Sequence, residues 1–211
     1  MIARLIKGSS LAALVVAFTA GIVFWGGFNW SLELANTEQF CISCHEMNDN
    51  IVPEYQASVH FLNSSGVRAT CPDCHVPDQW FPKVVRKVGA VNELYHKMVG
   101  SIDTKEKFRL KRGELAQHVW GFMRANGSQE CRNCHEFNSM LISEQKPDAR
   151  LRHQYGKKNK LSCIDCHIGI AHELPKSLLD VEHQRFKETE FPCGACHVSM
   201  ALPVEQEEWG W

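Results

Sequence analysis

None of the ten cysteines in this 211-residue chain stands alone. All fall in five C-x-x-C-H pentapeptides, which leaves no thiol for a disulfide or a separate metal site. Net charge is nearly absent too: 23 Lys and Arg meet 24 Asp and Glu, giving −1 at pH 7. That balance removes the electrostatic case for nucleic acid as a partner. Aromatic residues are scarce, at 9%. Once an apolar N-terminal segment is set aside, too little polypeptide remains for an ordinary hydrophobic core. Whatever the pentapeptides hold must fill much of the interior.

The five copies read CISCH (Cys41, Cys44, His45), CPDCH (Cys71, Cys74, His75), CRNCH (Cys131, Cys134, His135), CIDCH (Cys163, Cys166, His167) and CGACH (Cys193, Cys196, His197). In such a motif the two thiols add across the vinyl groups of a haem, and the histidine binds the iron. One copy alone would leave open a zinc knuckle or a thiol–disulfide pair. Five copies without an orphan cysteine predict five covalently attached haem c groups. The expected fold is mainly α with extensive irregular structure, organised by its haems. Attached haem c also places the globular part outside the cytoplasm.

From Leu11 to Phe28 the chain carries no charge, Arg4 and Lys7 precede this run, and Trp25 and Trp30 lie toward its outer end. This pattern predicts a basic cytoplasmic N-terminus over 1–10 and a single transmembrane helix over 11–30, with the rest in the periplasm. A cleaved signal peptide is the alternative, with small residues near Ala17 to Ala20. The apolar run continues past that point through Trp25, which favours an uncleaved anchor in the bacterial inner membrane.

Flanking residues sort the motifs. The first and third share C-x-x-C-H-E-[MF]-N, and the second and fourth share C-x-D-C-H-[VI] with Asp73 and Asp165 in matching places. The pattern predicts a duplicated two-haem module, about 38–100 and about 128–175, with the fifth motif appended. Six histidines lie outside the motifs: His60, His96, His118, His153, His172 and His183. They nearly match the number of irons that would want a second axial ligand. His60 and His153 occupy equivalent sequence positions in the two modules, and Met47 is an alternative ligand to the first iron. His118 reads equally as ligand or packed side chain.

Two helices are expected between the modules. In 82–99, Val84, Val88, Val91, Tyr95 and Met98 form one apolar stripe, with Lys83, Lys87, Ala90, Leu94 and Lys97 beside it. Such a helix can lie at a membrane surface or pack on haems. A second helix is expected from Thr104 to about Arg124, with Asp103 as N-cap, Glu106 completing the box, and Phe108, Leu115, Val119 and Phe122 buried.

The chain resembles the NapC/NirT family of membrane-anchored multihaem cytochromes. The resemblance rests on FCISCHEM, EYQASVHFLNSSGVRATCPDCHVP, FPKVVRKVGAVNELYHKMVGSIDTKEKF, ECRNCHEF and CIDCHIGIAHELP in that order. It implies a single-pass anchor and a periplasmic four-haem domain over 31–175. It further implies oxidation of quinol from the membrane pool and electron delivery to a periplasmic terminal reductase of nitrate, nitrite, N-oxide or S-oxide type. By position, Lys87, with Lys83 second, would help form the quinol site beside the first haem, and Glu93 or His96 would approach that iron. His60, His153 and His172 would be distal ligands, and a methionine at Met47 serves the first haem in some members. On a straight helix Lys87 and His96 point in opposite directions, so either the helix breaks near Gly89 or one of the two does something else. Typical members carry four haems, so the CGACH in the extension 176–211, with its neighbour His183, departs from the pattern.

Quinol oxidation with electron relay is therefore the expected function. The rivals are an electron-storage or transfer cytochrome without a quinol site, and a small-molecule reductase acting at a five-coordinate haem. The C-x-x-C-K site of the long pentahaem nitrite reductases is absent.

Overall fold

The computed structural model describes residues 2–202, with side chains from residue 10 onward. The Arg4 and Lys7 side chains and positions 203–211 of the C-terminal extension lie outside the described residues. The described residues form helices and loops, with no strand among them.

Helix α1 runs from Ile2 to Leu34. Its segment Ser10–Leu34, 25 residues with mean hydropathy 2.1 and none of its most apolar stretch buried in the protein, is long and apolar enough to cross a membrane. The helix continues past the expected end at residue 30. At 1.5 Å per residue that segment measures about 37 Å against a hydrocarbon core of about 30 Å, so its last turn can carry Glu33 outside the lipid.

Three short helices surround the first motif: α2 (Glu38–Ile42), α3 (His45–Asn50) and α4 (Val52–Gln56). The second motif forms α5 (Cys71–His75). Two longer helices follow, α6 (Trp80–Met98) and α7 (Lys105–Ala125). Then α8 (Gln129–Arg132) enters the third motif, α9 (Pro147–Lys158) follows two 3-10 turns, and α10 (Cys163–Cys166) is the fourth motif. Helix α11 (Lys176–Glu188) precedes a last 3-10 turn, Cys193–Ala195, in the fifth motif.

Both expected long helices form. Pro82 sits in the first turn of α6, where a missing N–H costs nothing. Helix α6 runs unbroken through Gly89 and stops before Gly100, whose φ of +67° suits glycine. The N-cap of α7 is Thr104, not Asp103: the Thr104 hydroxyl accepts the Lys107 N–H at 3.2 Å, while Asp103 pairs with the Lys107 ammonium at 2.7 Å. The buried face of α7 is also rotated from the expected one. Phe108 is buried, but Leu115 and Phe122 are exposed, and Trp120 and Met123 turn inward. Those two meet Ile164 of α10 and Leu178 of α11, with Ala116, Val119, Ile168 and Leu174 at the edge. This small cluster joins the helix between the modules to the fourth motif and the extension.

The shared Asp of the second and fourth motifs has a structural cause. Asp73 and Asp165 each sit at the third helical position and close a capping box with Thr70 and Ser162. The matching glutamates of the first and third motifs diverge. Glu46 is buried, whereas Glu136 is exposed and caps Asn138.

Candidate cofactor sites

The five motifs are neighbours in chain order. The Cys41 and Cys71 thiols lie close enough to shift each other's proton affinity, as do Cys131 with Cys163 and Cys166 with Cys196. Between the two halves, α5 packs on α8. There burial, Asp73 and the nearby Cys134 push the Cys74 thiol up. First cysteine meets first cysteine within each module, so the duplicated pattern in the sequence is a duplicated contact in space. All ten cysteines are free of disulfides.

Four motif histidines face a second histidine. Ring centroids are 6.2 Å apart for His135 and His60, 6.2 Å for His75 and His172, 6.0 Å for His167 and His153, and 6.0 Å for His197 and His183. With a metal–imidazole bond of about 2 Å, two rings sharing one metal stand roughly 6 Å apart centre to centre. Each pair could therefore hold one iron between its rings, and the residues fit haem. At the second and fourth motifs burial also disfavours the protonated ring. Burial, with His172 and Arg86 nearby, takes His75 down to about 4. Burial likewise lowers His167 and His172. A neutral ring offers the lone pair a metal needs. The Nδ1 atoms of His153 and His183 are engaged by the Gln145 side-chain oxygen at 2.6 Å and the Leu179 carbonyl at 2.9 Å, which aims the other nitrogen at the partner ring. The zinc-knuckle alternative lacks a ligand set: among the described residues no three His, Cys, Asp or Glu side chains converge.

His60 and His153, equivalent in sequence position, face partners in different places. His60, from the first module, faces the third motif, and His172, from the second module, faces the second motif. The exchange between modules is thus His60 for His172, while His153 stays beside its own module's His167.

The first motif differs from the other four. Among the described residues no second histidine ring stands against His45. Met47 lies half-buried two residues further along α3. Glu46, 4% exposed, pairs with His45 at 3.4 Å and with Lys97 of α6 at 2.9 Å. Burial alone would raise the Glu46 carboxyl, but the Lys97 hydrogen bond and charge outweigh it and hold it below the ordinary range.

Helix α6 turns its basic row inward. The Lys83 ammonium meets Glu33, in the last turn of α1, at 3.0 Å, and Lys87 donates to the Ala35 carbonyl, just past that helix, at 2.6 Å. Burial lowers the pKa of Lys87, with the Cys41 thiol near enough to oppose that shift. Trp80 packs on Trp25 at 5.4 Å and donates its indole N–H to Asn29 at 2.9 Å. The apolar stripe faces away from the protein: Val84 is half-buried, but Val88 is 67% exposed, Val91 61% and Met98 78%. Because α6 does not break at Gly89, Lys87 and His96 lie on opposite sides of it. His96 is engaged instead by Ser101 at 2.9 Å and by the neighbouring Tyr95 ring. Glu93 pairs with Arg86 at 2.8 Å. Both line a cavity of about 160 Å³ beside Cys74 and His75, with His118 and Phe122 on its α7 side. His118 thus borders the second site.

Sequence reasoning passed over the ion pairs that hold these sites together. Glu54 of α4 accepts both Arg112 guanidinium nitrogens at 2.6 Å, and Arg124 of α7 joins Asp165 to Glu182. These partners are 41 to 58 residues apart, and no local pattern connects them.

The NapC/NirT cytochrome c family, N-terminal region, matches residues 5–177 and so ends before the fifth motif. The denitrification system component NirT of Stutzerimonas stutzeri is 57% identical over 167 residues, 79% of this chain and 83% of that protein. The cytochrome c-type protein NapC of Escherichia coli K12 is 56% identical over 162 residues, 77% of this chain and 81% of that protein. The cytochrome c-type protein TorC of the same strain is 43% identical over 170 residues, 80% of this chain but 43% of its own length. No solved structure matches significantly. With 173 matched positions that take in the anchor and four of the five motifs, the chain belongs to the NapC/NirT cytochrome c family.

Proposed function

We propose that the chain is a single-pass, membrane-anchored cytochrome with five haem c groups. It takes electrons from membrane quinol and relays them to a periplasmic terminal reductase of nitrate, nitrite, N-oxide or S-oxide type. The observation that carries this reading is the arrangement of the motifs. Each thiol pair neighbours the next in chain order, and the series starts where the anchor helix ends. Haem c bound there would supply one-electron redox chemistry.

In this reading His135 with His60, His75 with His172, and His167 with His153 would each hold the iron of one haem. His45, with Met47 beside it, serves the first. Quinol oxidation releases two electrons and two protons, so side chains near the first site must take the protons. Lys87 is held by burial below the usual lysine range and next to Cys41, which makes it the best placed group to hold and deprotonate a quinol hydroxyl. Lys83 braces the same edge through Glu33, and Glu93 can pass a proton outward from its exposed ion pair. His96, on the far side of α6, orders the turn at Ser101. The exposed Val88, Val91 and Met98, continuous with Trp80 and Trp25, lie in the lipid headgroup region and open the site to the quinol pool. The haem domain then stands in the periplasm.

Purified protein in detergent is expected to be reduced by a quinol analogue. Lys87→Ala should slow that reduction at least tenfold while dithionite still reduces every haem and the spectrum is unchanged. Full quinol reduction of the variant would remove Lys87 from the site. No reduction of the wild type would overturn the quinol reading.

A further inference from the structure

We infer that the fifth haem site is a rigid continuation of the fourth, with His183 as the sixth ligand to its iron and Glu182 as the residue that positions His183. This rests on the five-haem reading above. The His183 and His197 rings are 6.0 Å apart and 18° from parallel. A carbonyl can only accept, so its contact with the Leu179 oxygen fixes the proton on Nδ1 of His183 and leaves the lone pair on Nε2.

The preceding residue explains why the helix carrying His183 does not swing. Glu182 is 1% exposed, and its carboxylate accepts from Gln117 at 2.7 Å, Arg124 at 2.6 Å and Arg185 at 3.1 Å. Arg124 spends a second N–H on Asp165 at 3.1 Å, the capping residue inside the fourth motif. A buried carboxylate is costly unless it is paired and hydrogen-bonded, and here two guanidinium groups and an amide meet it. The chain Glu182–Arg124–Asp165 therefore ties α11 to the fourth haem motif through a bond set that tolerates little displacement.

The other half of the site is tied down separately. Arg152, next to His153, donates to the His197 carbonyl at 2.8 Å. Gly194 is required between the two cysteines, because a Cβ there would come within 2.9 Å of the Leu202 nitrogen. Both ligands of the fifth site are thus referenced to residues of the fourth. Electron tunnelling falls steeply with separation, so fixing this spacing fixes the rate of the last step. The Glu182 carboxylate is taken up by Gln117, Arg124 and Arg185 and acts through His183; it is a positioning residue.

The test uses the full-length protein in detergent. Haem is counted by pyridine haemochrome, and spin states and potentials are read by EPR and redox titration. The wild type is expected to hold five haems. His183→Ala should keep all five attached but show one more high-spin haem than the wild type. Glu182→Ala should broaden or split one low-spin signal, shift one midpoint potential, and slow electron arrival at that haem at least tenfold. Glu182→Gln should recover much of this. Arg124→Lys keeps the charge but cannot bridge both carboxylates, so it reads the same coupling without emptying the pocket. Five haems with no new high-spin signal in His183→Ala would overturn the ligand assignment. An unchanged fifth-haem signal, potential and rate in both Glu182→Ala and Arg124→Lys would overturn the positioning role. Four haems in the wild type would instead overturn the five-haem reading on which the inference rests.

Discussion

Glu54 illustrates how much one carboxylate carries in a protein with so small an apolar core. It receives both arms of Arg112 and the backbone N–H of Glu173, next to His172. Burial raises its pKa, but the Arg112 hydrogen bonds and charge prevail and hold it below the ordinary value of 4.5. A carboxyl lowered in the folded state contributes stability that is fully present at neutral pH and is lost as pH falls through the lowered value. Glu54→Gln should therefore lower the neutral-pH unfolding midpoint, by about 2 kcal/mol or several degrees. It should also flatten the loss of stability on acidification below about pH 4.5, measured by far-UV circular dichroism against pH. An equal acid slope in both proteins would assign the effect to other carboxylates. Nothing near Glu54 in the sequence points to Arg112, because a tertiary ion pair leaves no periodic trace.

Helix α6 marks the boundary of what pattern can say about an element. The spacing of Val84, Val88, Val91, Tyr95 and Met98 specifies a helix and a stripe, and both form. It does not specify which way the stripe faces, because lipid and haem accept the same apolar side chains. The direction is set by partners outside the helix: Glu33 and the Ala35 carbonyl on one edge and Glu46 on another draw the lysines inward. The cap of α7 falls one residue after the expected Asp103 for a related reason, since Asp103 and Thr104 both suit the role and only Thr104 reaches the Lys107 N–H. If α6 meets lipid, Val88→Asp with Val91→Asp should leave the fold intact, because both side chains are exposed. Putting two carboxylates into the headgroup boundary should cut quinol-driven reduction roughly tenfold while dithionite reduction stays normal. Unimpaired quinol reduction in proteoliposomes would place that face in water.

For the whole molecule, the pentapeptides made the cofactor type, the helical class and the duplication legible. The crossing of His60 and His172 between modules was not, since similar flanks do not say which module a side chain reaches into. Among the described residues the buried apolar cluster, around Trp120, Met123, Ile164 and Leu178, is too small to hold the roughly 180 residues beyond the anchor. Cleaving the thioethers and extracting haem should therefore abolish most helical signal outside α1 and expose the domain to proteolysis. A haem-free protein that kept its ellipticity and protease resistance would show that the polypeptide core suffices.

The contacts of Trp80 with Trp25 and Asn29, together with Lys83 with Glu33, bear on orientation in the bilayer. They lie on one side of the anchor at successive turns, so the anchor and the body cannot turn independently about the membrane normal. The protein behaves as a bracket rather than a ball on a string. The elevation of its far end above the lipid is then set by bilayer thickness and helix tilt, and any electron acceptor that docks there must present its own redox centre at that elevation.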